Sequence, residues 1–160
     1  MPPRLAKVTT DAQAAILSGL LERCGLEGGS DPYFWGEPVY WLVQVDAETV
    51  GFTGLHSIDW VSRRCRGQLW IAPEHRRKGY GSEALDARNW LAFNELNMNR
   101  VEWVVPEDKF GRLDMAQKRG EHLEGRLREV AYYDGKYHDY LCYSLLRSDG
   151  PPQDDYQRSE

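Results

Sequence analysis

A basic turn with two glycines separates an apolar strand pattern from a helix pattern, and this arrangement predicts a site for phosphate or pyrophosphate. Backbone N–H groups in the first turn of a helix have no partner within the helix, and the helix dipole adds positive potential there. Glycines let the backbone approach an anion closely, and Arg and Lys side chains neutralise its charge. The alternative is a solvated loop with an ordinary helix N-cap at Ser82. The residues of the predicted site are Arg76, Arg77, Lys78, Gly79, Tyr80, Gly81 and Ser82.

The elements around this turn follow from apolar periodicity and from turn signals. Thr10 and Asp11 are typical of a helix N-cap, Gly120 fits the position after a helix C-terminus, and Asp134-Gly135 is a strong hairpin signal. The order predicts an α/β fold with a mixed sheet of about six or seven strands and helices on both faces. Strands are predicted at 4–9, 40–45, 50–59, 67–72, 100–105, 122–133 and 136–147, helices at 11–24, 82–96 and 110–119, and a turn at 61–66.

Size and composition narrow the functional classes. The 160 residues suffice for one domain, which we assign to 1–148, with a polar tail at 149–160. The net charge of −5 gives no overall positive field, so no nucleic-acid partner is expected. Three widely spaced cysteines offer neither a disulfide framework nor metal-ligand spacing, so no metal is expected. The sequence shows no signal-type segment and no apolar run of membrane length, so we expect a cytoplasmic protein without a membrane partner.

The spacing Arg76-x-x-Gly79-x-Gly81 also indicates a family. It matches the acyl-CoA pyrophosphate loop of the GNAT N-acetyltransferases, and the stretch 71–85 resembles their RimJ/RimL-type branch almost letter for letter. Further matches occur in the same order along the chain, so the resemblance covers residues 40–148. These matching segments are Gly51–Asp59, Lys118–Gly120, Glu124–Glu129 and Gly135–Asp139.

This resemblance implies an N-acyltransferase that uses acetyl-CoA as donor and a primary amine as acceptor. Transfer would be direct, within a ternary complex and without a covalent enzyme intermediate. Acceptors in this branch include protein N-termini, polyamines and amine-bearing antibiotics. The resemblance also implies that N–H groups near Leu69, Trp70 and Ile71 hold the pantetheine arm, and that one of them donates to the thioester oxygen. One such donor typically contributes about 3 kcal/mol to the transition state.

The acceptor amine must lose a proton, and the residue that accepts it is not evident. Relatives in the branch commonly carry Glu at the position of Arg66, so that candidate base is absent here. A carboxylate or His in the cleft, or a water held by one, would serve instead. The candidates are His56, Asp59, Glu107 and Asp108. Each of them is also a common surface or capping residue, and Asp108 fits a helix N-cap.

Four further positions depart from the family pattern. Many relatives place an Asn and a small residue where this chain has Lys109 and Arg112. Either these cations contact the phosphates of CoA, or the cofactor is held differently. Ala116 replaces a general-acid Tyr. Either the leaving thiolate needs no acid, because the pKa of a thiol is low compared with that of an alcohol, or a Tyr of the hairpin substitutes. The hairpin candidates, which could also be packing residues, are Tyr132, Tyr133, Tyr137 and Tyr140. Glu121 replaces a Phe, so the packing of that corner must differ.

The segment Tyr137-His138-Asp139 matches the branch pattern and has two interpretations. Tyr137 and Asp139 either form a wall of the acceptor site, with the carboxylate attracting a cationic amine, or belong to an ordinary strand with a paired carboxylate.

The sequence is also consistent with two rival functions. One is an acyltransferase that uses another thioester such as succinyl-CoA, whose extra carboxylate could pair with Arg66, Lys109 or Arg112. The other is a GNAT-like binding or regulatory module without catalysis. A homodimer is expected by analogy with the branch, and the aromatics at 33–35 could support it, cover the core or line a pocket.

Overall fold

A computed structural model describes residues 2–26 and 36–150, and their helices and strands follow the predicted order. The loop aromatics at 33–35 and the tail beyond Gly150 lie outside the described residues. Short 3-10 turns occupy Pro73–His75 and Arg147–Asp149. The strands are β1 Arg4–Lys7, β2 Val39–Val45, β3 Glu48–Asp59, β4 Arg64–Ile71, β5 Arg100–Pro106, β6 His122–Tyr133 and β7 Lys136–Leu146, and the helices are α1 Asp11–Leu26, α2 Tyr80–Asn94 and α3 Phe110–Lys118.

The seven strands form one mixed sheet in the order β1-β2-β3-β4-β5-β7-β6, which confirms the predicted fold class. Among these pairs only β4 and β5 run parallel. They pair over three residues, Arg64–Arg66 against Arg100–Glu102, although β4 continues to Ile71 and β5 to Pro106. The sheet therefore opens between β4 and β5 beyond Arg66 and Glu102. We call this gap the cleft, and its closed end is where the pairing stops.

The two sheet faces are covered by different helices because alternate strand residues point in opposite directions. Trp41 and Cys65 join the core beneath α2, whereas Leu42 and Trp70 pack against α1. Burying one large apolar side chain contributes about 1.5–3 kcal/mol, so these two clusters hold the helices on the sheet. The α2 side also contains Leu91, Phe93, Met98, Val101, Trp103 and Val105, and the α1 side contains Leu17, Leu20 and Phe52.

The turn before β4 is shorter than the predicted turn at 61–66, and this changes the position of Arg66. The N–H groups of Val61 and Ser62 both donate to Asp59 Oδ1 at 3.0 Å. The chain consequently reverses within four residues, and β4 begins at Arg64. Arg66 is therefore a strand residue at the closed end of the cleft.

The apolar residues of strand β3 do not share one face of the sheet. Phe52 packs against α1, whereas Val50 and Ile58 pack in clusters on the opposite side. Irregular pairing near Val50 and beside Ser57, whose φ is 50°, reverses the alternation of side chains. Period-two patterning cannot reveal such bulges.

The predicted end signals of the other elements are confirmed. Gln13 N donates to Thr10 Oγ1 at 3.3 Å, and Thr10 N donates to Gln13 Oε1 at 3.1 Å, so α1 begins with a capping box. Gly120 follows α3 with a φ of 68°. Asp134 and Gly135 have φ values of 51° and 74° between the two hairpin strands, as a tight two-residue turn requires.

The cysteines are reduced and poorly placed for nucleophilic chemistry. Burial raises the pKa of Cys65 to about 12 and raises that of Cys142. All three cysteines, including Cys24, are free thiols. Within residues 2–26 and 36–150 no helix is long and apolar enough to cross a membrane, and no cluster of His, Cys, Asp and Glu could hold a metal ion.

Candidate active site

The predicted anion turn lies at the C-terminal end of β4, and the helix that follows it begins earlier than expected. Helix α2 starts at Tyr80 rather than at Ser82, and Gly79 is its N-cap with a φ of 87°. This left-handed conformation favours glycine. No side chain caps the helix, so the N–H groups of its first turn remain available to an anion. Ser82 is therefore a residue of the first helical turn and not the N-cap.

The basic residues of the turn have different environments. Arg76 is built into the turn, since its Nε donates to the carbonyl of Ile71 at 2.7 Å. Arg77 and Lys78 are exposed, and Arg77 has a positive φ of 64°. The turn therefore offers two exposed cationic side chains and a third that maintains its shape.

The side chains of the last three residues of β4 pack in the core. Trp70 and Ile71 are buried, and Trp70 stacks on Phe52 with ring centroids 6.1 Å apart. Leu69 is partly buried beside α2. Beyond Arg66 these residues have no ladder partner in β5, so the strand edge that faces the cleft is open to a ligand backbone or pantetheine amide.

Helix α3 lies on the same side of the sheet as α2, beside the cleft. A Cβ placed on Gly81 would be 3.5 Å from Met115 Cε and 3.5 Å from Leu69 Cδ2, so α3, α2 and β4 meet there. Trp103 of β5 lies between two guanidinium groups, those of Arg88 and Arg112, with Cζ to ring-centroid distances of 5.6 Å and 4.8 Å.

The unusual residues Arg112 and Glu121 explain each other. Arg112 Nη1 lies 3.3 Å from Glu121 Oε2, and Arg119 Nε lies 3.3 Å from Glu121 Oε1. The Glu121 side chain is 1% exposed, so the carboxylate that replaces the usual Phe is a buried partner of two arginines. Arg119 also pairs with Asp86 of α2 and donates to Ser82 Oγ at 3.4 Å. Arg112 thus points into this network, whereas Lys109 is the exposed N-cap residue of α3.

The four candidate bases do not converge. His56 and Asp59 flank the closed end of the cleft, because His56 pairs with Arg66 across the strands. Glu107 and Asp108 follow the last residue of β5, at the same end of the sheet as the anion turn.

Each of these four side chains, three carboxylates and one imidazole, has a structural partner. Hydrogen bonds from Ser62 lower the pKa of Asp59, which also lies 3.6 Å from Arg64. Glu107 Oε2 lies 2.8 Å from Arg126. Asp108 Oδ2 lies 3.5 Å from His138 Nδ1, and Asp108 does not cap α3. His56 is fully buried, with its Nδ1 3.0 Å from Ser57 Oγ.

Asp139 and Tyr137 fit the interpretation of an ordinary strand better than that of an acceptor wall. Asp139 accepts a hydrogen bond from the N–H of Glu129 at 2.7 Å and lies 2.7 Å from Arg126. Its charge is therefore compensated. Tyr137 is 62% exposed and packs edge-on against Tyr132, with ring centroids 5.1 Å apart.

A carboxylate that sequence reasoning missed lies at the closed end of the cleft. Glu102 of β5 accepts a hydrogen bond from Arg66 Nε at 3.0 Å and another from Arg100 Nε at 2.9 Å. The acidic group that relatives carry at position 66 is thus present one strand away. A cavity of about 60 Å³ adjoins it, large enough for an ordered water. This cavity is lined by Ser57, Arg64, Cys65, Arg66 and Glu102.

Arg88 of α2 was also missed, although a signal for it exists. It falls between Leu85 and Leu91 at helical spacing, and an Arg in an apolar stripe is rare. Its side chain is 1% exposed, and burial lowers its pKa to about 9, so it is still a cation at neutral pH.

Comparison with known proteins agrees with this geometry. The family model described as acetyltransferase (GNAT) domain matches residues 9–120. The chain therefore belongs to the GNAT acetyltransferase family.

Individual relatives support the same family. The chain is 32% identical over 102 residues to the putative ribosomal N-acetyltransferase YdaF of Bacillus subtilis (strain 168), covering 64% of this chain and 56% of that protein. It is 27% identical over 106 residues to the spermidine N(1)-acetyltransferase of Escherichia coli (strain K12), covering 66% of this chain and 57% of that protein. The chain thus spans a little more than half the length of these curated relatives.

A solved structure shows the same fold. The spermidine N-acetyltransferase from Vibrio cholerae in complex with CoA and spermine superposes with a TM-score of 0.80, covering 91% of this chain and 96% of that one. The sequence identity is 19%.

Proposed function

We propose that this chain is an N-acetyltransferase that transfers the acetyl group of acetyl-CoA to a primary amine. The observation that carries the proposal is the uncapped turn at Gly79, which follows β4 where β4 has separated from its parallel neighbour β5. An anion site at one end of an open strand edge suits a long thioester that carries its pyrophosphate at one end and its acyl group at the other.

The donor site follows from this placement. The first-turn N–H groups of α2 would bind the pyrophosphate, and Arg77 and Lys78 would neutralise it. Lys109, exposed at the start of α3 near the same end of the sheet, would add a further positive charge. The pantetheine arm would follow Leu69–Ile71, which brings the thioester to the closed end of the cleft.

The reaction requires one new bond and the loss of another. The lone pair of the amine attacks the thioester carbonyl carbon, the C–N bond forms, the C–S bond breaks, and CoA leaves as a thiolate that then takes up a proton. The products are an acetylated amine and free CoA. The amine gives up a proton to a base, so the acceptor must approach the closed end where a proton route exists.

We assign the proton route to His56, because it lies at the closed end and contacts the cavity wall through Ser57. A water in the cavity would pass the amine proton to Ser57 Oγ and from there to His56. Glu107 and Asp108 lie at the opposite end, and Asp59 stabilises a turn. The acetyl acceptor would then enter on the α1 side, where Arg66 and Glu102 also lie.

Substitution His56→Gln tests this route. We expect kcat/KM to fall by about 10²-fold at neutral pH, because general-base catalysis typically contributes 10²–10⁴-fold. The same constant is measured for Glu107→Gln and Asp108→Asn. A loss in either of these variants, with an unchanged kcat/KM for His56→Gln, would contradict the assignment.

The charges around the cleft bear on the class of acceptor. The relatives include a putative ribosomal N-acetyltransferase and a spermidine N(1)-acetyltransferase, and the branch that the sequence resembles is the RimJ/RimL type. Arg126 is shared by Asp139 and Glu107, so one cation faces two carboxylates and a single negative charge of this group is left over. Because one charge suits one cationic amine, we place a protein N-terminus or a small monoamine ahead of a polyamine.

Calorimetry followed by product analysis tests the proposed function. The protein is titrated with acetyl-CoA, succinyl-CoA and free CoA, and is then incubated with acetyl-CoA and either an N-terminal peptide or spermidine for mass spectrometry. Micromolar binding and a product heavier by one acetyl group are expected. Binding without transfer to any amine would favour a non-catalytic module, and transfer of succinyl alone would favour the other thioester.

We further propose a cytoplasmic homodimer with one catalytic domain at 1–148 and a tail at 149–160. The free thiols suit a reducing compartment. The exposed Leu123 and Tyr132 lie on the sheet-edge strand β6 and offer a surface for a second copy. Sedimentation at the single-chain mass of 18.5 kDa would contradict the dimer.

A further inference from the structure

Arg88 carries a buried positive charge whose hydrogen-bond partners are all neutral. Its Nη2 donates to Asn89 Oδ1 at 2.8 Å, its Nε donates to the same oxygen at 3.3 Å, and its Nη1 lies 3.5 Å from the carbonyl of Gln68. No carboxylate of the described chain forms an ion pair with it. Burying such a charge costs free energy of folding unless an anion compensates it, so we expect a ligand at this position.

The guanidinium lies where the two parallel strands separate. Pairing ends at Arg66 and Glu102, and the next residues are Gly67 on β4 and Trp103 on β5. A Cβ placed on Gly67 would lie 2.5 Å from Arg88 Nη1, and Arg88 Cζ lies 5.6 Å from the Trp103 ring centroid. Arg88 therefore touches both strands from the α2 side and forms the floor of the closed end of the cleft.

On the α2 side of the sheet, the charges around Arg88 leave the closed end of the cleft positive. The cations that affect Arg88 are Arg112 and Arg119, and the nearby carboxylate is Glu121, while Asp86 pairs with Arg119. Three guanidinium groups thus face two carboxylates. Cys65, the remaining titratable neighbour, is a neutral thiol because burial raises its pKa to about 12.

We propose that Arg88 is a catalytic residue, whose guanidinium donates to the thioester oxygen at the closed end of the cleft and stabilises the negative charge that develops there. The inference rests on the proposed acetyl transfer. When the amine attacks the carbonyl carbon, the C=O π electrons move onto the oxygen, and they return when the C–S bond breaks. A full charge that is buried from bulk solvent stabilises that oxygen more than a backbone N–H does.

Geometry also explains why residue 67 lacks a side chain. The guanidinium fills the space that a Cβ would occupy, so Gly67 forms a cradle for it. Any side chain there would displace the flexible end of Arg88 and leave the backbone in place. Gly67→Ala therefore removes the charge from the closed end without removing it from the protein.

Steady-state kinetics of Arg88→Met, Arg88→Lys and Gly67→Ala test the proposal, with Arg128→Met as an exposed control on β6. In Arg88→Met we expect kcat for acetyl-CoA to fall by about 10²-fold, because one oxyanion donor typically accounts for 10²–10³-fold. The Kd for free CoA should stay within twofold, because CoA lacks the acyl oxygen. Arg88→Lys should recover part of kcat, and Gly67→Ala should lose kcat although it retains the arginine.

Other results would overturn the proposal. A folded Arg88→Met variant with kcat within threefold of the unsubstituted protein would show that Arg88 is only structural. A loss confined to succinyl-CoA, with acetyl transfer unchanged, would show that the guanidinium binds an acyl carboxylate. Failure of the proposed function is distinguishable from both, because the unsubstituted protein would then transfer no acetyl group to any amine.

Discussion

Gly79→Asp should abolish useful binding of CoA while the protein stays folded. The new carboxylate would lie beside the N–H groups of the first turn of α2, which is where the pyrophosphate is expected. Aspartate is a favourable N-cap acceptor, so it would occupy these donors itself and also repel the phosphates. We expect the Kd for acetyl-CoA, measured by calorimetry, to rise by about 10²-fold, since two charge-assisted contacts of about 1.5 kcal/mol each would be lost.

Gly79→Asn is the matched control for this experiment. Asparagine has the size of aspartate and tolerates the left-handed conformation that the φ of 87° requires, but it carries no charge. It should therefore raise the Kd several times less than the aspartate does. Equal losses in both variants would assign the effect to backbone strain, and an unchanged Kd in Gly79→Asp would contradict the pyrophosphate site.

Features that depend on a few neighbouring residues were predictable from the sequence. The left-handed conformations at Gly120 and Asp134-Gly135 follow from turn chemistry, and the capping box at Thr10 follows from a four-residue pattern. The predicted start of α2 was wrong by two residues, because Gly79 and Ser82 both satisfy local rules for an N-cap. The choice between them is made by the path of the turn, which closes through Arg76 and the carbonyl of Ile71.

Features that depend on pairing between distant segments were not predictable. Arginine at position 66 indicated that a carboxylate expected there as general base is absent. Its partner Glu102 is 36 residues away in the sequence and becomes a neighbour only through the parallel pairing of β4 with β5. Arg112 and Glu121 depart from the family pattern at separate positions in the sequence, yet in the structure they form one ion pair. Arg88 had a visible signal, an arginine within the apolar stripe of α2, but its place at the cleft required the strand register.

The buried network around Glu121 gives the second large expected effect, on stability rather than on binding. Glu121→Gln should lower the free energy of unfolding by about 3 kcal/mol, because removal of one partner leaves buried charge uncompensated. Here two guanidinium groups, Arg112 and Arg119, would lose their shared carboxylate, and their side chains are only 18% and 13% exposed. For a domain of this size the melting temperature should fall by roughly 6–12 °C.

Asp114→Asn provides the control, since it makes the same chemical change on the exposed surface of α3. Asp114 lies 2.7 Å from Lys118, and both side chains are more than half exposed. Exposed pairs of this kind contribute about 0.3–0.5 kcal/mol, so the melting temperature should hardly move. Equal shifts in the two variants would contradict a buried network, and thermal unfolding followed by circular dichroism measures both.

A double-mutant cycle separates the ion pair from the packing of this corner. Arg112→Gln alone should also destabilise the protein, because it leaves Glu121 with one partner instead of two. The double variant Arg112→Gln with Glu121→Gln should be less destabilised than the sum of the single changes, since no unpaired carboxylate remains and one buried cation has been removed. The resemblance implies a small residue and a Phe at these two positions in the branch, so the pair is a different solution for the same corner. Strict additivity would mean that Arg112 and Glu121 act independently, and their departures from the family pattern would then need separate explanations.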